Sequence, residues 1–320
     1  MPLTIARLLQ KDLWFDLAFE QFHRSRYHLT GKRAQAAGLM PDLQIRWPTN
    51  LADPDGIHNG LLDPLLHGLR ELVDVELCSI SQRFKHVTTI ECICEGKTHQ
   101  VIVDFWDHPH VNEEAAANAI LYFKYQNVGG LNAHNNVVPG GYHPKRMDLY
   151  AFLPWLRGVR DRQQDLFEVY GRFGPDFAKD ARRKNLSLLR DQGDFRFEGG
   201  LARIRYSRYL REIACSKICI NLPGNGPLCF RLFDYLAVGA CVISTPFFTE
   251  LPAPLIDRKH IVFCAEDSSD LLELCNYYLN HDDERIAMQK ASREYYDENV
   301  QPLKWAGYFL SKLQEHLTSS

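Results

Sequence analysis

Apolar and polar residues alternate along the chain in two periods, one typical of strands and one typical of helices. In the first half, strands are predicted at 43–47, 75–79, 87–94, 99–105 and 120–124, and helices at 60–72 and 113–118. An earlier amphipathic helix is predicted from Ile5, Leu8, Leu9, Leu13 and Leu17. A tight turn at 95–97 joins the third and fourth strands into a hairpin. Such alternation is typical of an open α/β sheet.

The second half repeats this alternation after a polar, glycine-punctuated segment at 129–141. Strands are predicted at 166–170, 194–197, 217–221, 240–244 and 260–263, and helices at 177–189, 205–214 and 228–238. A last amphipathic helix follows Pro302. The two series predict an α/β protein with two Rossmann-like domains, 1–144 and 145–299, whose strand ends face each other across a cleft, followed by a terminal helix at 300–320.

Composition supports a globular chain. The 320 residues, 45% of them apolar and 24% charged, are enough for two domains with separate cores. The N-terminus lacks a signal-peptide pattern and no apolar run reaches the roughly 20 residues of a membrane span, so a soluble cytoplasmic protein without a transmembrane segment is predicted. The nine cysteines lack zinc-site spacing, which favours buried reduced thiols.

The net charge of −3 conceals an uneven distribution. Residues 145–217 carry 17 Lys and Arg against 10 Asp and Glu, an excess of seven positive charges. Either this stretch faces an anion or it supplies ordinary basic helix faces. Nucleic acid is not expected as a partner, because no base-reading motif accompanies the basic residues.

The segment 219–244, CINLPGNGPLCFRLFDYLAVGACVIS, has the features of a phosphate-binding turn. An apolar strand breaks into a Gly-Pro loop that enters a helix, where unpaired amides and the helix dipole favour an anion. Arg231 adds a permanent charge, and Asp234 lies on the same helix face and is suited to a ribose diol. The predicted donor-binding residues of this segment are Gly224, Gly226, Pro227, Leu228, Cys229, Arg231 and Asp234.

The run from Arg231 to Ile243, RLFDYLAVGACVI, resembles the donor domain of exostosin-like and group 1-like GT-B glycosyltransferases. There an acidic residue three positions after Arg or Lys precedes a small-residue turn into a strand, and the family's usual Glu is Asp234 here. The likeness covers most of 165–320. It implies a nucleotide-sugar donor on the C-terminal domain, an acceptor on the N-terminal domain, no obligatory metal and no other cofactor. It also implies that the terminal helix crosses back to the N-terminal domain.

By this resemblance Asp234 takes the ribose, and 226–231 take the diphosphate. Arg172, just after the strand at 166–170, corresponds to a loop that often supplies a cation to the phosphates. Lys179 and Arg183 lie behind it and fit a solvated helix face better.

The candidate residues of the N-terminal site follow from their position at the end of a predicted strand. The strand end VIVDFWDHPH places Asp104, Asp107, His108 and His110 toward the predicted cleft. Sugar transfer with inversion needs a base for the acceptor hydroxyl, and Asp107 is the first candidate with His108 in reserve. The two histidines lack an evident third ligand, so no metal site is predicted. Asp104 is an acceptor contact or a structural strand-end residue, and Lys124 and Gln126 are acceptor or phosphate contacts or ordinary edge residues.

These patterns predict a glycosyltransferase of glycan biosynthesis that moves a sugar from a nucleotide diphosphate sugar to a hydroxyl of a glycan or small acceptor, by inversion and without metal. Two alternatives stay open. A nucleotide-sugar epimerase on the same frame would release a free epimerised sugar, and a non-catalytic nucleotide- or glycan-binding module would bind without turnover. A dehydrogenase is disfavoured because no Gly-x-Gly-x-x-Gly motif follows a strand.

Overall fold

The computed structural model of the chain describes residues 11–30, 43–49, 60–142 and 146–319. It has two β-sheets, each covered by helices, so the predicted α/β class with two sheets is confirmed. Of the predicted N-terminal helix, Ile5, Leu8 and Leu9 lie outside the described residues. No helix in the described ranges combines the length and the apolar character that crossing a membrane requires.

The first sheet has six strands in the order β2-β1-β3-β4-β5-β6. They are β1 Leu43–Pro48, β2 Asp74–Cys78, β3 Val87–Cys94, β4 Lys97–Asp104, β5 Leu121–Lys124 and β6 Val137–Pro139. The predicted hairpin is β3 and β4, which turn through Glu95 and Gly96 at φ 52° and 74°. Strand β3 is antiparallel to both neighbours, and the remaining pairs are parallel. The sheet is therefore mixed, and β4 and β5 run parallel with their carboxyl ends at one edge.

The second sheet is parallel throughout, with the order β11-β10-β9-β7-β8. Its strands are β7 Phe167–Arg172, β8 Phe197–Gly200, β9 Ser216–Asn221, β10 Cys241–Ser244 and β11 Val262–Phe263. Counted from β7, this is the doubly wound order 2-1-3-4-5. The strand order reverses between β7 and β9, and ligands of such sheets bind beyond the carboxyl ends at that point.

Helices cover both sheets. They are α1 Lys11–Thr30, α2 Asp63–Leu72, α3 Glu113–Asn118, α4 Asp148–Asp161, α5 Lys179–Asp191, α6 Tyr206–Ala214, α7 Phe230–Val238, α8 Leu271–Asn280, α9 Asp282–Tyr295 and α10 Pro302–Ser319, with a π-helical turn at Tyr296–Val300. Helix α4 and strand β6 were not predicted. Pro154, a residue that ordinarily interrupts a helix, lies inside α4 and obscures its apolar period.

The last helix, α10, crosses back from the second sheet to α2 of the first, as predicted. Gly68 in α2 touches its start so closely that a Cβ there would lie 2.1 Å from the carbonyl oxygen of Pro302. Further along, the ring of Phe309 stacks on Phe123 with centroids 4.6 Å apart. Trp305 is buried against the backbone of Gly141. Helix α10 therefore shares one apolar core with the first sheet.

The first helix packs in the opposite sense, against α4 and α6 of the second sheet. Glu20 of α1 accepts hydrogen bonds from Arg205 and Ser207 at the start of α6, and Phe19 contacts the ring of Phe152 in α4 at 5.3 Å. Helix α1 therefore packs on the body of the second sheet, and helix α10 packs on the body of the first. The boundaries at 144 and 299 stay predictions.

Candidate functional site

A cleft of about 640 Å³ lies at the point where the strand order of the second sheet reverses. The loops that follow β7 and β9 form one wall, and the turn after β4 of the first sheet brings Asp107 to it. Seven of the residues predicted for the site line this cleft: Asp107, Arg172, Gly224, Leu228, Cys229, Arg231 and Asp234. The fold therefore brings predicted site residues from both halves of the chain together in one cleft.

The donor loop, residues 223–229, follows β9 and enters α7. The amide of Gly224 donates to the carbonyl of Gly226 at 3.0 Å, which closes the turn. Helix α7 begins at Phe230, and its N-cap residue Cys229 provides no side-chain cap. The amide of Leu232 donates to the carbonyl of Cys229 at 3.0 Å. The amides of Phe230 and Arg231 precede any acceptor within the helix, so this end of α7 can offer them to an anion in the cleft.

Gly226 and Pro227 were predicted as donor contacts, but neither lines the cleft. Gly226 instead touches the first sheet's body: a Cβ at this position would lie 2.5 Å from Nε2 of Gln126 and 2.9 Å from the carbonyl oxygen of Asp107. Because Gly226 has no side chain, the donor loop can pack closely against the body of the first sheet. This corrects the diphosphate role predicted for it.

Arg231 lies one residue inside α7 and lines the cleft as predicted. Its Nη1 donates to Oδ1 of Asn221 and to the carbonyl oxygen of Leu222, both at 3.1 Å. The guanidinium carbon lies 4.8 Å from the ring centroid of Phe173. Within the described ranges no carboxylate forms an ion pair with Arg231, so its charge is left for a ligand.

Arg182 also lines the cleft, and the sequence analysis did not single it out. It lies in α5, is only 2% exposed, and donates from Nε to the carbonyl of Pro223 at 2.9 Å and from Nη1 to that of Gly174 at 2.6 Å. It therefore joins the two loops of the cleft wall. Burial and the nearby guanidinium of Arg231 both lower the pKa of Arg182. Among the described residues it too has no carboxylate partner, and an anion between the two arginines would stabilise both charges.

A signal for Arg182 exists in the sequence. It has helical spacing with Asn185, Leu186 and Leu189, the buried face of α5, whereas Arg183 is exposed. A lone cation on an apolar helix face needs polar partners. Here the carbonyls of Pro223 and Gly174 accept hydrogen bonds from Arg182, which also lines the cleft.

Arg172, the cation predicted at the end of β7, lines the cleft but is already held by acids. Its Nε donates to Glu212 at 2.7 Å, and its Nη2 lies 3.3 Å from Glu198. An arginine paired with two carboxylates attracts a phosphate far less than an unpaired one. Arg182, which has no carboxylate partner among the described residues, is better suited than Arg172 to face an anion.

Asp234 lies on the cleft-facing side of α7, three residues after Arg231, as predicted. Its carboxylate is 1% exposed, and Oδ1 accepts a hydrogen bond from the hydroxyl of Tyr206 at 2.7 Å. The guanidinium of Arg146 lies over the Tyr206 ring at 5.4 Å. These contacts fix the carboxylate at the floor of the cleft.

Asp107 faces this wall from the first sheet. Burial raises the pKa of its carboxyl, and a hydrogen bond from Gln126 and the charges of His108 and Lys124 oppose that rise. A carboxylate whose pKa lies above its ordinary value is a better proton acceptor near neutral pH. The position and the direction of the shift both fit the predicted base.

His108, the reserve base, does not line the cleft. It is exposed, and its ring lies 4.7 Å from that of Trp106 in an edge-on contact. Successive side chains in the turn after β4 point in different directions, so Asp107 lines the cleft and His108 is exposed to solvent. In the part of the chain that the structure describes, no three His, Cys, Asp or Glu side chains come together as metal ligands.

Asp104 and Lys124, predicted as acceptor contacts, are instead buried partners. Parallel pairing of β4 with β5 places them side by side, and Nζ of Lys124 lies 2.9 Å from Oδ2 of Asp104 with side-chain exposures of 0% and 1%. Neither reaches the cleft, which corrects the prediction. Asp104 also accepts from the amide of Trp106 at 2.8 Å, and Lys124 donates to the Trp106 carbonyl at 3.3 Å. The pair therefore holds the turn that presents Asp107.

The wall formed by the loops after β7 and β9 belongs to a segment that matches a family model. Residues 154–310 match the family model described as glycosyl transferase-like. Similar solved structures include a glycosyltransferase from Rickettsia africae ESF-5, with 14% identity, a TM-score of 0.33, and coverage of 52% of this chain and 44% of that one. Another is a putative UDP-N-acetylglucosamine 2-epimerase from Listeria monocytogenes, with 8% identity, a TM-score of 0.36, and coverage of 65% and 62%.

The chain thus spans less than two thirds of the length of either solved relative. Comparison with curated proteins finds no match. The family match covers the donor loop, Arg182, Arg231 and Asp234, and it confirms the resemblance on which their prediction rested. Residues 154–310 of this chain are thus similar to a glycosyl transferase-like domain.

Proposed function

We propose that this chain is a glycosyltransferase that moves a sugar from a nucleotide diphosphate sugar to a hydroxyl of a glycan or small-molecule acceptor. One observation carries the proposal. In a glycosyl transferase-like domain, Arg182 and Arg231 face a cleft without carboxylate partners in the described part of the chain, and the carboxylate of Asp107 faces them from the other half.

The two arginines suit the diphosphate. A nucleotide diphosphate sugar carries about two negative charges there, and two guanidinium groups with first-turn amides of α7 balance them. The charge on the leaving diphosphate grows as the sugar departs, so donors that are already in place stabilise the transition state more than the ground state. This chain's residues thereby supply the stabilisation that a divalent metal provides in other transferases.

Asp234 suits the ribose of the nucleotide. Its carboxylate lies one helical turn from Arg231, and the hydroxyl of Tyr206 fixes one oxygen at 2.7 Å. A carboxylate held in this way accepts hydrogen bonds from a vicinal diol.

Asp107 suits the role of base. It would take the proton of the acceptor hydroxyl while that oxygen attacks the anomeric carbon, and the bond to the diphosphate breaks on the opposite side. The diphosphate site and Asp107 lie on different walls of the cleft, which fits attack from the face opposite the leaving group and hence inversion. The acceptor would enter from the side of the first sheet.

A thermal-shift screen of nucleotide diphosphates, followed by product analysis, tests this function. A ligand at 100 times its Kd should stabilise the fold by about 2.7 kcal/mol. A lengthened acceptor supports transfer, whereas a free epimerised sugar identifies an epimerase. Binding without any turnover identifies a binding module, and the absence of a shift with every nucleotide contradicts the donor site.

A further inference from the structure

Trp106 is an exposed aromatic residue on a body whose other aromatic residues are buried. Of the Phe, Tyr and Trp side chains at 43–49 and 60–142, only that of Trp106 is exposed, at 39%, and all the others are buried. A large apolar side chain that stays in solvent while the rest of its class fills the core indicates a contact surface. Trp106 follows the carboxyl end of β4, and its chain neighbour Asp107 lines the cleft.

The main chain of Trp106 is held from the interior. Its amide donates to Oδ1 of Asp104 at 2.8 Å, and its carbonyl accepts from Nζ of Lys124 at 3.3 Å. Asp104 and Lys124 form an ion pair with side-chain exposures of 1% and 0%. Because a buried pair is costly to disturb, the position of Trp106 is set before any ligand binds.

Two exposed histidines contact the indole ring. The ring of His86 stacks on it, with centroids 4.9 Å apart and planes 9° from parallel, and the ring of His108 meets it edge-on at 4.7 Å. Antiparallel pairing of β3 with β4 brings His86 to this point, because Val87 lies opposite Asp104. The backbone of His86 has a φ of 63°, a left-handed conformation that residues other than glycine rarely adopt and that is found often at binding sites.

The Trp106 platform, formed by Trp106, His86 and His108, combines an apolar ring with polar ring nitrogens. A sugar ring has the complementary surface, because its face presents C–H groups and its rim presents hydroxyls. The C–H groups are apolar and slightly positive, so they pack on electron-rich aromatic surface. Imidazole nitrogens can donate hydrogen bonds to hydroxyls or accept them. The platform therefore suits a sugar unit.

We propose that the Trp106 platform is a subsite for a glycan acceptor, which holds a sugar unit beyond the one that reacts at Asp107. This inference rests on the proposed function and narrows its acceptor to an oligosaccharide or a longer glycan. The platform itself lies outside the cleft lining. Successive Cα atoms are about 3.8 Å apart, so an acceptor whose reacting hydroxyl meets Asp107 reaches Trp106 with its next sugar units.

Titration of nitrogen-15-labelled protein with oligosaccharides tests the subsite without turnover. The probes are linear tetrasaccharides of glucose, galactose, mannose, xylose and N-acetylglucosamine, each with its monosaccharide, with and without a nucleoside diphosphate. We expect the indole N–H signal of Trp106, assigned with Trp106→Ala, to shift with at least one tetrasaccharide. The corresponding monosaccharide should leave the signal in place.

The kinetic signature is a change in the acceptor KM alone. Trp106→Ala should raise the KM of a tetrasaccharide acceptor about three- to tenfold and change kcat and the donor KM by less than about twofold. The KM of a monosaccharide acceptor should stay unchanged. Trp106→Phe keeps an aromatic face and should recover part of the loss, and it decides the question if Trp106→Ala does not fold.

Trp14→Ala is the matched control. Trp14 is 57% exposed, but it lies on α1, which packs on the body of the second sheet. Its replacement should leave the oligosaccharide titrations and the acceptor KM as they are in the wild-type protein.

A Trp106 signal that no tetrasaccharide shifts, with or without nucleotide, overturns the proposal. So does a Trp106→Ala protein whose association state changes while its oligosaccharide titrations stay intact, since the indole would then be a protein contact. Tetrasaccharide binding at Trp106 in a protein that transfers no sugar would support the subsite and contradict the transferase function. Transfer to a glycan with a KM that is insensitive to Trp106→Ala would support the transferase function and overturn the subsite.

Discussion

Arg182 and Arg231 lie against the same aromatic ring, with guanidinium carbons 6.0 and 4.8 Å from the centroid of Phe173. They come from helices that follow β7 and β9, the two strands between which the order of the parallel sheet reverses. Two like charges this close, each held by backbone carbonyls or an amide side chain, favour a dianion between them.

Replacing Arg231 with Ala should weaken nucleotide diphosphate binding by about 1.5–3 kcal/mol, because one charge-assisted hydrogen bond is lost. Isothermal titration calorimetry measures the loss directly. Arg183→Ala is the matched control, since Arg183 in α5 is exposed whereas its neighbour Arg182 is buried. Equal affinities of the wild-type and Arg231→Ala proteins would place the phosphates elsewhere.

Changing Asp107 to Asn should lower turnover by about 10²–10⁴-fold and leave donor affinity near normal, because the amide keeps the shape and removes the basicity. Steady-state kinetics with a fixed acceptor gives the measurement. His108→Gln alters the exposed neighbour and should leave the rate nearly unchanged.

The pH dependence supplies a second check on Asp107. Burial raises the pKa of this carboxyl, and a base must be deprotonated to act. The rate should therefore fall with decreasing pH at values above the ordinary carboxyl range of about 4, and the Asp107→Asn protein should lack that limb. A limb that persists in Asp107→Asn would assign it to another group.

Turnover should survive EDTA, because the leaving diphosphate is assigned to guanidinium groups and helix amides of this chain. The initial rate with and without the chelator is the measurement. Loss of the rate and its recovery with manganese or magnesium would show that the arginines do not suffice.

Replacing Lys124 with Met should destabilise the fold by about 3–5 kcal/mol, because it leaves Asp104 charged and unpaired in the interior. Denaturant unfolding gives the free energy. The double variant Lys124→Met with Asp104→Asn should recover part of the loss. If the single variant instead keeps its stability and raises only the acceptor KM, Lys124 contacts the acceptor as the sequence suggested.

We expect the body of the first sheet to depend on the terminal helix α10 for its stability. Gly68→Val places a side chain where even a Cβ would lie 2.1 Å from the Pro302 carbonyl, so it should separate α2 from α10 and lower the stability by at least about 1–3 kcal/mol. Gly307→Val is the matched control, because a Cβ at 307 meets nothing within 4 Å. Equal melting temperatures of the two variants would contradict the packing described for α10.

Local sequence was sufficient to predict the site residues that lie in one helix and in the strand and loop before it. Arg231 and Asp234 lie three residues apart in α7, so their common face followed from helical geometry. The terminal helix was predictable from its apolar period and from Pro302 at its start.

Long-range pairing was not predictable. Asp104 and Lys124 became partners only because β4 and β5 pair in one register, which neither strand encodes alone. Arg172 is neutralised by Glu212, a residue 40 positions away in sequence. Gly226 was interpreted as a phosphate contact because its true neighbour, Gln126, lies in the other half of the chain.

The most direct test of the central claim is the release of nucleotide diphosphate from a panel of nucleotide sugars in the presence of hydroxyl acceptors. We expect release from at least one donor together with a lengthened acceptor, and we expect that release to fall by about 10²-fold or more in Asp107→Asn. The loss of binding in Arg231→Ala should accompany it. A wild-type protein that neither binds nor consumes any nucleotide sugar, or one whose rate is the same in both variants, would contradict it.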